Sequence, residues 1–153
     1  MVIQNRARDA AFAWQVMREA PYATLSLVAE DGTPYAVPVS PVADEAGNRL
    51  YFHCAQMGRK HDLFACGCPA VLSAVSRAVV IPEEYTVDYA SAVARGQLEI
   101  VTGDAERMEA MRLLCNHYAP TKSEKFASCM KNSGAVTCVV RLAVEEITGK
   151  EYC

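Results

Sequence analysis

The chain has 153 residues, of which 52% are hydrophobic and 22% charged, which are close to globular averages and exclude intrinsic disorder. The formal net charge of −3, with no run of lysines and arginines, argues against a nucleic-acid-binding surface. No stretch approaches the roughly 18 apolar residues that a membrane span needs. We therefore expect a single cytoplasmic domain over residues 1–153 that binds neither nucleic acid nor membranes.

The first third of the sequence predicts a helix followed by a hairpin. Phe12, Val16 and Ala20 recur at helical spacing over residues 7–20, and Pro21 ends the pattern. Residues 22–29 and 35–40 then alternate as strands do, with an Asp-Gly turn between them. Pro38 cannot donate to a ladder of hydrogen bonds, so we expect its strand to lie at an edge or to have an unpaired stretch.

The rest of the chain predicts further strands with helices at the margins. Strands are expected over residues 49–55, 70–75, 91–101 and 136–144, and helices over 58–66, 105–118 and 123–131. Residues 81–89 are expected to form a loop, because they contain Pro82 and paired acids. Six short strands with hairpin signals indicate a mostly β fold, an antiparallel barrel with peripheral helices. A doubly wound parallel sheet is disfavoured because the early connections are too short for crossover helices.

The cysteines point to neither a disulfide framework nor a metal site. There are seven, an odd number, and Arg6, Arg8 and Asp9 stand where a signal peptide would need an apolar core. His61, Cys66 and Cys68 lie close together, but the Cys-x-Cys spacing has no second pair. Several of the others stand in apolar patterns as small hydrophobes do, namely Cys54, Cys129 and Cys138.

The segment with the most chemical information runs from Tyr51 to Lys60. A strand ends near Ala55, turns through Gly58 and begins a helix that carries Arg59 and Lys60. A helix N-terminus offers backbone N–H groups and a partial positive charge, which suit a phosphate. On these residues alone, two solvated surface cations remain the simpler interpretation.

Several segments in order along the chain resemble a known family. Residues 35–40 (YAVPVS), 50–55 (LYFHCA) and 58–60 (GRK) are similar to the pyridoxamine-5′-phosphate-oxidase-related flavoproteins. Within that family they most resemble the 5-nitroimidazole-reductase group, which is associated with nitroimidazole antibiotic resistance. Residues 85–93, Gly96 and residues 146–150 fit the same family. The resemblance implies a six-stranded FMN-binding split β-barrel and a homodimer, with FMN at two equivalent sites between the subunits.

The resemblance also implies roles for particular residues. Lys60 would hold the FMN phosphate, with Arg59 a weaker candidate, and His53 would be the catalytic residue beside flavin and substrate. Tyr89 and Ser91 would contribute from the other side of the site, from the same chain or from the partner. The remaining expected contacts to the flavin ring come from two strands: the backbone of Val37, Pro38, Val39 and Ser40, and Phe52, His53 and Cys54.

The function expected from the resemblance is that of an FMN-dependent oxidoreductase acting on a small organic acceptor, with a nitroaromatic compound as the first candidate. One alternative is a flavin-binding or electron-carrier protein without a substrate, because the sequence shows no proton-donating carboxylate pair and no motif for a nucleotide reductant. Another is a split barrel that binds haem or a deazaflavin, with His53 as an axial ligand of haem. Vitamin B6 oxidation is not expected, because the additional arginines that grip the vitamin's phosphate are missing.

Overall fold

The computed structural model describes residues 4–55, 58–65, 67–120 and 137–153. The α-helices within these ranges are α1 (Ala10–Glu19), α2 (Arg59–Phe64) and α3 (Asp104–Tyr118). The strands are β1 (Ala7–Arg8), β2 (Ala23–Val28), β3 (Pro34–Val39), β4 (Val42–Asp44), β5 (Arg49–Ala55), β6 (Cys68–Ile81), β7 (Thr86–Ile100) and β8 (Thr137–Tyr152). The helix expected over Ser123–Lys131 lies outside the described residues.

All these strands belong to one antiparallel sheet in the order β3-β2-β6-β7-β8-β5-β4, with β1 paired to β8. The mostly β, antiparallel split-barrel fold is confirmed, but the count of six strands is wrong, because the described residues form a sheet of eight. The six expected strands are all present. The two additional ones, β1 and β4, have two and three residues, too few to show alternation in a sequence. β3 and β4 stand at the two edges, so the sheet is not closed.

The loop expected over residues 81–89 is also wrong. β6 continues to Ile81, a 3₁₀ turn over Pro82–Glu84 follows, and β7 starts at Thr86, directly opposite Ile81. Val79, Val80 and Val87 are β-branched and favour extended backbone, so the hairpin continues up to the turn. Pro82 begins the 3₁₀ turn, where its missing N–H is not needed.

α1 and the inner face of the sheet form the main core. Helix α1 begins after Asp9, whose Oδ1 accepts a 2.9 Å hydrogen bond from the N–H of Phe12. Its buried side chains pack against the inner face of β6, β7 and β8, and the alternating burial along the strands confirms the alternation predicted from the sequence. The fully buried members of this cluster include Val16, Met17, Leu25, Leu72, Ala92, Leu98 and Leu142.

Helix α3 packs on the outer face of the sheet and is fixed there by a polar cluster. Its buried residues, Ala110, Met111 and Leu114, form a second core with Tyr51 and Val139. At its first turn, a group of charged and polar side chains joins the helix to β5 and β8. Its hydrogen-bonded members are Arg49, Tyr51, Glu99, Glu106 and Arg141.

A register shift between Arg95 and Gly96 interrupts the β7–β8 ladder. A Cβ atom placed on Gly96 would lie 1.8 Å from the carbonyl oxygen of Ala143. Only glycine fits such a close approach of two backbones. Gly96 therefore permits β8 to bend past β7 at this point.

Candidate functional site

The turn from β5 into α2 depends on a glycine. Gly58 has a φ of +112°, a backbone conformation that other residues rarely adopt, and its carbonyl accepts the first hydrogen bond of the helix from Asp62. At the other end of α2, Phe64 is fully buried and meets the ring of Phe52 edge-on, with ring centroids 5.9 Å apart. α2 is thus anchored by its last residue, and its first turn faces solvent.

Arg59 already has partners on the β2–β3 hairpin. Its guanidinium lies 5.3 Å from the centroid of the Tyr35 ring, a distance at which a cation is attracted to an aromatic face. The pKa of Asp31 is lowered first by hydrogen bonds from the side chain and backbone of Thr33, and further by the charge of Arg59. A phosphate at Arg59 would therefore compete with Asp31 for the same guanidinium.

The depression beside Arg59 has a volume of about 600 Å³ and three acidic side chains on its wall, from Glu30, Asp31 and Asp62. Carboxylates at this density disfavour an anion in the depression itself. The backbone of Lys60 lies in the first turn of α2, but the expectation for its side chain falls outside what the structure describes. Sequence reasoning did not find Tyr35 and Asp31, since nothing in the sequence places the hairpin beside α2.

β3 presents an open edge. It pairs with β2 on one side only, as the presence of Pro38 predicted. Tyr35, Val37 and Val39 point towards the core, whereas Ala36 and Pro38 are exposed. In such an edge strand, alternate N–H and C=O groups point away from the sheet and are available to a ligand. The backbone role expected for residues 37–40 remains a prediction, and Pro38 can contribute to it only through its carbonyl, because it has no N–H.

β5 divides its three expected flavin contacts between two faces. Phe52 is fully buried and Cys54 half-buried on the inner face, while His53 is exposed on the outer face and is paired in register with Val139. A planar ring that lies on one face can meet the side chain of His53 or that of Cys54, but not both. Phe52 can offer a surface ligand only its backbone.

Tyr89 and Ser91 lie far from His53 within one chain. They pair in register with Tyr152 and Lys150, near the end of β8, whereas His53 pairs with Val139 near its start. One chain does not bring the two groups together. If both belong to one site, Tyr89 and Ser91 must come from a second copy.

Ser91 and Pro38 belong to an outer sheet surface without charged side chains, called here the uncharged face. It alternates with the buried positions of β2, β6 and β7, and Arg95 and Lys150 border it. The face spans four adjacent strands, and its side chains are exposed or half-buried: Pro34, Ala36 and Pro38 on β3, Thr24, Ser26 and Val28 on β2, Val71, Ser73 and Val75 on β6, and Ser91 and Val93 on β7.

A family model described as pyridoxamine 5′-phosphate oxidase matches residues 9–151. The chain belongs to this family. The resemblance found in the sequence is thereby confirmed. None of the curated proteins compared with the chain matches it.

Solved structures share the fold of this pyridoxamine 5′-phosphate oxidase family member at low sequence identity. A candidate 5-nitroimidazole antibiotic resistance protein from Bacteroides thetaiotaomicron is 17% identical with a TM-score of 0.73, over 94% of this chain and 84% of that one. An FAD- and haem-binding protein from Mycobacterium smegmatis is 23% identical with a TM-score of 0.78, over 94% and 71%. A flavocytochrome from Azotobacter vinelandii is 18% identical with a TM-score of 0.80, over 100% and 72%.

Two further observations concern other classes of site. Among the described residues of this pyridoxamine 5′-phosphate oxidase family member, no three His, Cys, Asp or Glu side chains are placed to hold a metal ion. In the same part of the chain, none of the helices has the length and apolar character needed to cross a membrane. The described polar groups near the β3 edge and the start of α2 are backbone groups of β3 and the guanidinium of Arg59, with the carboxylates of Asp31 and Asp62 close by.

Proposed function

We propose that the protein is an FMN-dependent oxidoreductase that reduces a small organic acceptor, with nitroaromatic compounds as the first candidate class. The observation that carries the proposal is the open edge of β3, which shares one core with β5 and α2 in a chain matched to the pyridoxamine 5′-phosphate oxidase family over residues 9–151. These three segments bear most of the residues expected to contact FMN. The FAD-binding and flavocytochrome names of similar structures support a flavin on this fold.

The residues present fit a flavin. Backbone groups on the free edge of β3 can hydrogen-bond the polar rim of the ring system, and Lys60 would hold the phosphate at the start of α2. When bound, FMN accepts and donates electrons in steps that the protein side chains cannot perform. The chain's own contribution is to bind and orient the cofactor and to hold a proton on the imidazole of His53, beside the acceptor.

The proposed working form is a homodimer. The uncharged face offers a broad apolar and weakly polar surface, of the kind that a second copy can cover. A two-fold axis would make the interface isologous and create two equivalent sites. It would also bring Tyr89 and Ser91 of one copy towards β3 of the other. The cytoplasmic location remains a prediction.

The proposal is tested by the visible spectrum of the purified protein, mass spectrometry of the cofactor released by heat, and turnover of nitro compounds by the dithionite-reduced protein. A yellow protein that releases FMN and reduces a nitro compound is the expected result. FMN without turnover of any acceptor would favour an electron carrier. Release of FAD instead of FMN would show that the cofactor is FAD.

Haem is the second candidate, because two of the similar structures are an FAD- and haem-binding protein and a flavocytochrome. The exposed imidazole of His53 is a chemically suitable axial ligand. A Soret band in the same spectrum that disappears in His53→Ala would establish this function. A purified protein that shows flavin absorption and no Soret band would exclude haem as the cofactor.

A further inference from the structure

Two cysteines face each other across neighbouring strands inside the sheet. Cys54 on β5 and Cys138 on β8 are directly opposed in the antiparallel register. The Cβ atoms of such opposed residues lie about 4.5–5.5 Å apart, and a disulfide requires a separation of about 3.5–4.5 Å. A small approach of the two strands is therefore enough to allow a covalent bond. The described part of the chain has five cysteines, and no other two of them are opposed in this way.

The two thiols are already in contact. The Cys54 thiol forms a hydrogen bond with the sulfur of Cys138. Cys138 is only 4% exposed and belongs to the main core, whereas Cys54 is half-buried at its margin. An oxidant can therefore reach Cys54 first, with Cys138 directly behind it.

A cation lies beside the pair. The Nη2 of Arg107 donates a 2.8 Å hydrogen bond to the backbone carbonyl of Thr137, the residue before Cys138. Burial is the dominant cause and raises the pKa of the Cys138 thiol above its ordinary value, although the hydrogen bond from Cys54 and the positive charge of Arg107 offset part of this increase. A nearby arginine stabilises a thiolate, the form that attacks a disulfide.

We propose that Cys54 and Cys138 form a reversible cross-strand disulfide, with a low-molecular-weight disulfide as the oxidant. The Cys54 thiolate attacks one sulfur of the oxidant, whose S–S bond breaks, and one thiol leaves after taking up a proton. The Cys138 thiolate then attacks the Cys54 sulfur of the mixed disulfide, and the second thiol leaves in the same way. In total the protein dithiol loses two electrons and two protons, and the oxidant becomes two thiols. Excess thiol reverses both steps.

The disulfide would link β5 to β8 next to His53, which directly precedes Cys54. It does not depend on the proposed flavin chemistry, since the oxidant is external and both sulfurs belong to the chain. The oxidised state is therefore a separate covalent form of the protein. Its presence can be measured with or without bound cofactor.

The test uses the sequence around the two cysteines. Tryptic cleavage after Arg49, Arg59, Lys131 and Arg141 gives peptides 50–59 and 132–141, each with a single cysteine. The native protein is incubated with glutathione disulfide, unreacted thiols are blocked with N-ethylmaleimide, and the digest is analysed without reduction. We expect the two peptides joined, with the loss of two hydrogens, and separated again by dithiothreitol.

Matched variants and an unfolded control complete the experiment. Cys54→Ser and Cys138→Ala should each remove the joined peptide, whereas Cys115→Ser on α3 should leave its yield unchanged. Protein oxidised in urea should give mixed pairings instead of this single one. The proposal is overturned if native protein yields only glutathione adducts, or if the joined peptide forms only after unfolding.

Discussion

The hydroxyl of Tyr51 on β5 donates a 2.9 Å hydrogen bond to Oε1 of Glu106 in the first turn of α3. Arg141 on β8 donates to both oxygens of the same carboxylate, each across 2.7 Å. Glu106 is therefore the point at which the helix is attached to two neighbouring strands. The contact also fixes the second core, in which Tyr51 packs against α3.

Glu106→Gln should lower the free energy of unfolding by about 1–3 kcal/mol at pH 7, because hydrogen bonds to a charged group contribute more than neutral ones. Urea denaturation followed by circular dichroism measures the change. The control is Glu109→Gln, which removes an exposed ion pair with Arg112 on the same helix and should change stability by less than about 1 kcal/mol. Equal effects of the two substitutions would contradict the role given to Glu106.

The effect of Glu106→Gln should depend on pH. Burial by itself would raise the pKa of Glu106, but hydrogen bonds from Arg141 and Tyr51 and the nearby arginine charges outweigh it, so the pKa lies below its ordinary value of 4.5. The stabilisation by the ionised carboxylate is complete above that ordinary value and is lost as the pH falls through the lowered pKa. The stability gap between wild type and variant should thus shrink on acidification below pH 4.5. A constant gap from neutral to acidic pH would rule this out.

Gly96→Ala should destabilise the protein by about 3 kcal/mol or more, since the added methyl group overlaps the backbone of β8 and cannot be relieved by moving a side chain. Thermal unfolding reports the loss. Gly103→Ala is the matched control, because nothing lies within 4 Å of its added Cβ and its φ of −74° suits alanine. That change should cost no more than about 1 kcal/mol as an altered helix cap. Similar melting temperatures for the two variants would contradict the close approach of the β7 and β8 backbones at Gly96.

Much of the fold could be predicted because the long strands alternate cleanly. Leu25, Leu72 and Leu98 stand at positions where a period of two puts every second residue in the core, and all three are fully buried. Pro38 likewise signalled the edge position of β3 correctly. Pro82 led to the wrong prediction of a loop over residues 81–89. A tight 3₁₀ turn accepts a proline, and the strands of the hairpin continue on both sides of it.

The candidate site was less accessible to sequence reasoning, because its geometry depends on contacts between distant segments. No local pattern shows that Asp31 and Tyr35 lie beside Arg59, or that Cys54 is opposite Cys138. These pairings arise when β5 joins β8 and α2 turns back towards the β2–β3 hairpin. The sequence identified individual candidate residues, but their contact partners depend on which strands pair and therefore could not be predicted.

Lys60→Ala should weaken FMN binding by about ten- to a hundredfold, since a charge-assisted contact to a phosphate is worth about 1.5–3 kcal/mol. Its effect on stability should stay within about 0.5 kcal/mol. Titration of FMN into the cofactor-free proteins, followed by fluorescence quenching, measures both affinities. Arg112→Ala, which removes one positive charge from α3, should bind FMN as wild type does. An unchanged affinity in Lys60→Ala would remove this residue from the site.

Ser73→Arg should separate the proposed dimer into monomers, because it places a charge in the middle of the uncharged face. Light scattering coupled to size-exclusion chromatography gives the mass of each variant at micromolar concentration. Thr102→Arg introduces the same side chain at an exposed position before α3 and should remain dimeric. A wild-type protein that is monomeric with FMN bound would refute the dimer itself, and a dimeric Ser73→Arg would place the interface elsewhere.

His53→Ala should retain FMN that dithionite can still reduce, yet its oxidation by a nitro acceptor should slow by about 10²–10⁴-fold, as expected for loss of a positioned proton donor. Stopped-flow absorbance follows the reoxidation. His117→Ala, which alters an exposed histidine at the end of α3, should react at the wild-type rate. Unchanged reoxidation of His53→Ala with every acceptor would assign the histidine a structural role and favour the carrier function.

The two edge strands of the sheet, β3 and β4, have few backbone groups with which a strand of another chain could pair. β3 contains Pro34 and Pro38, each without an N–H, and β4 is only three residues long. A foreign strand that tried to extend the sheet would meet interrupted donors on one side and too short a ladder on the other, so neither edge is a good template for aggregation. The sheet can therefore stay open and still avoid the edge-to-edge polymerisation to which open sheets are prone.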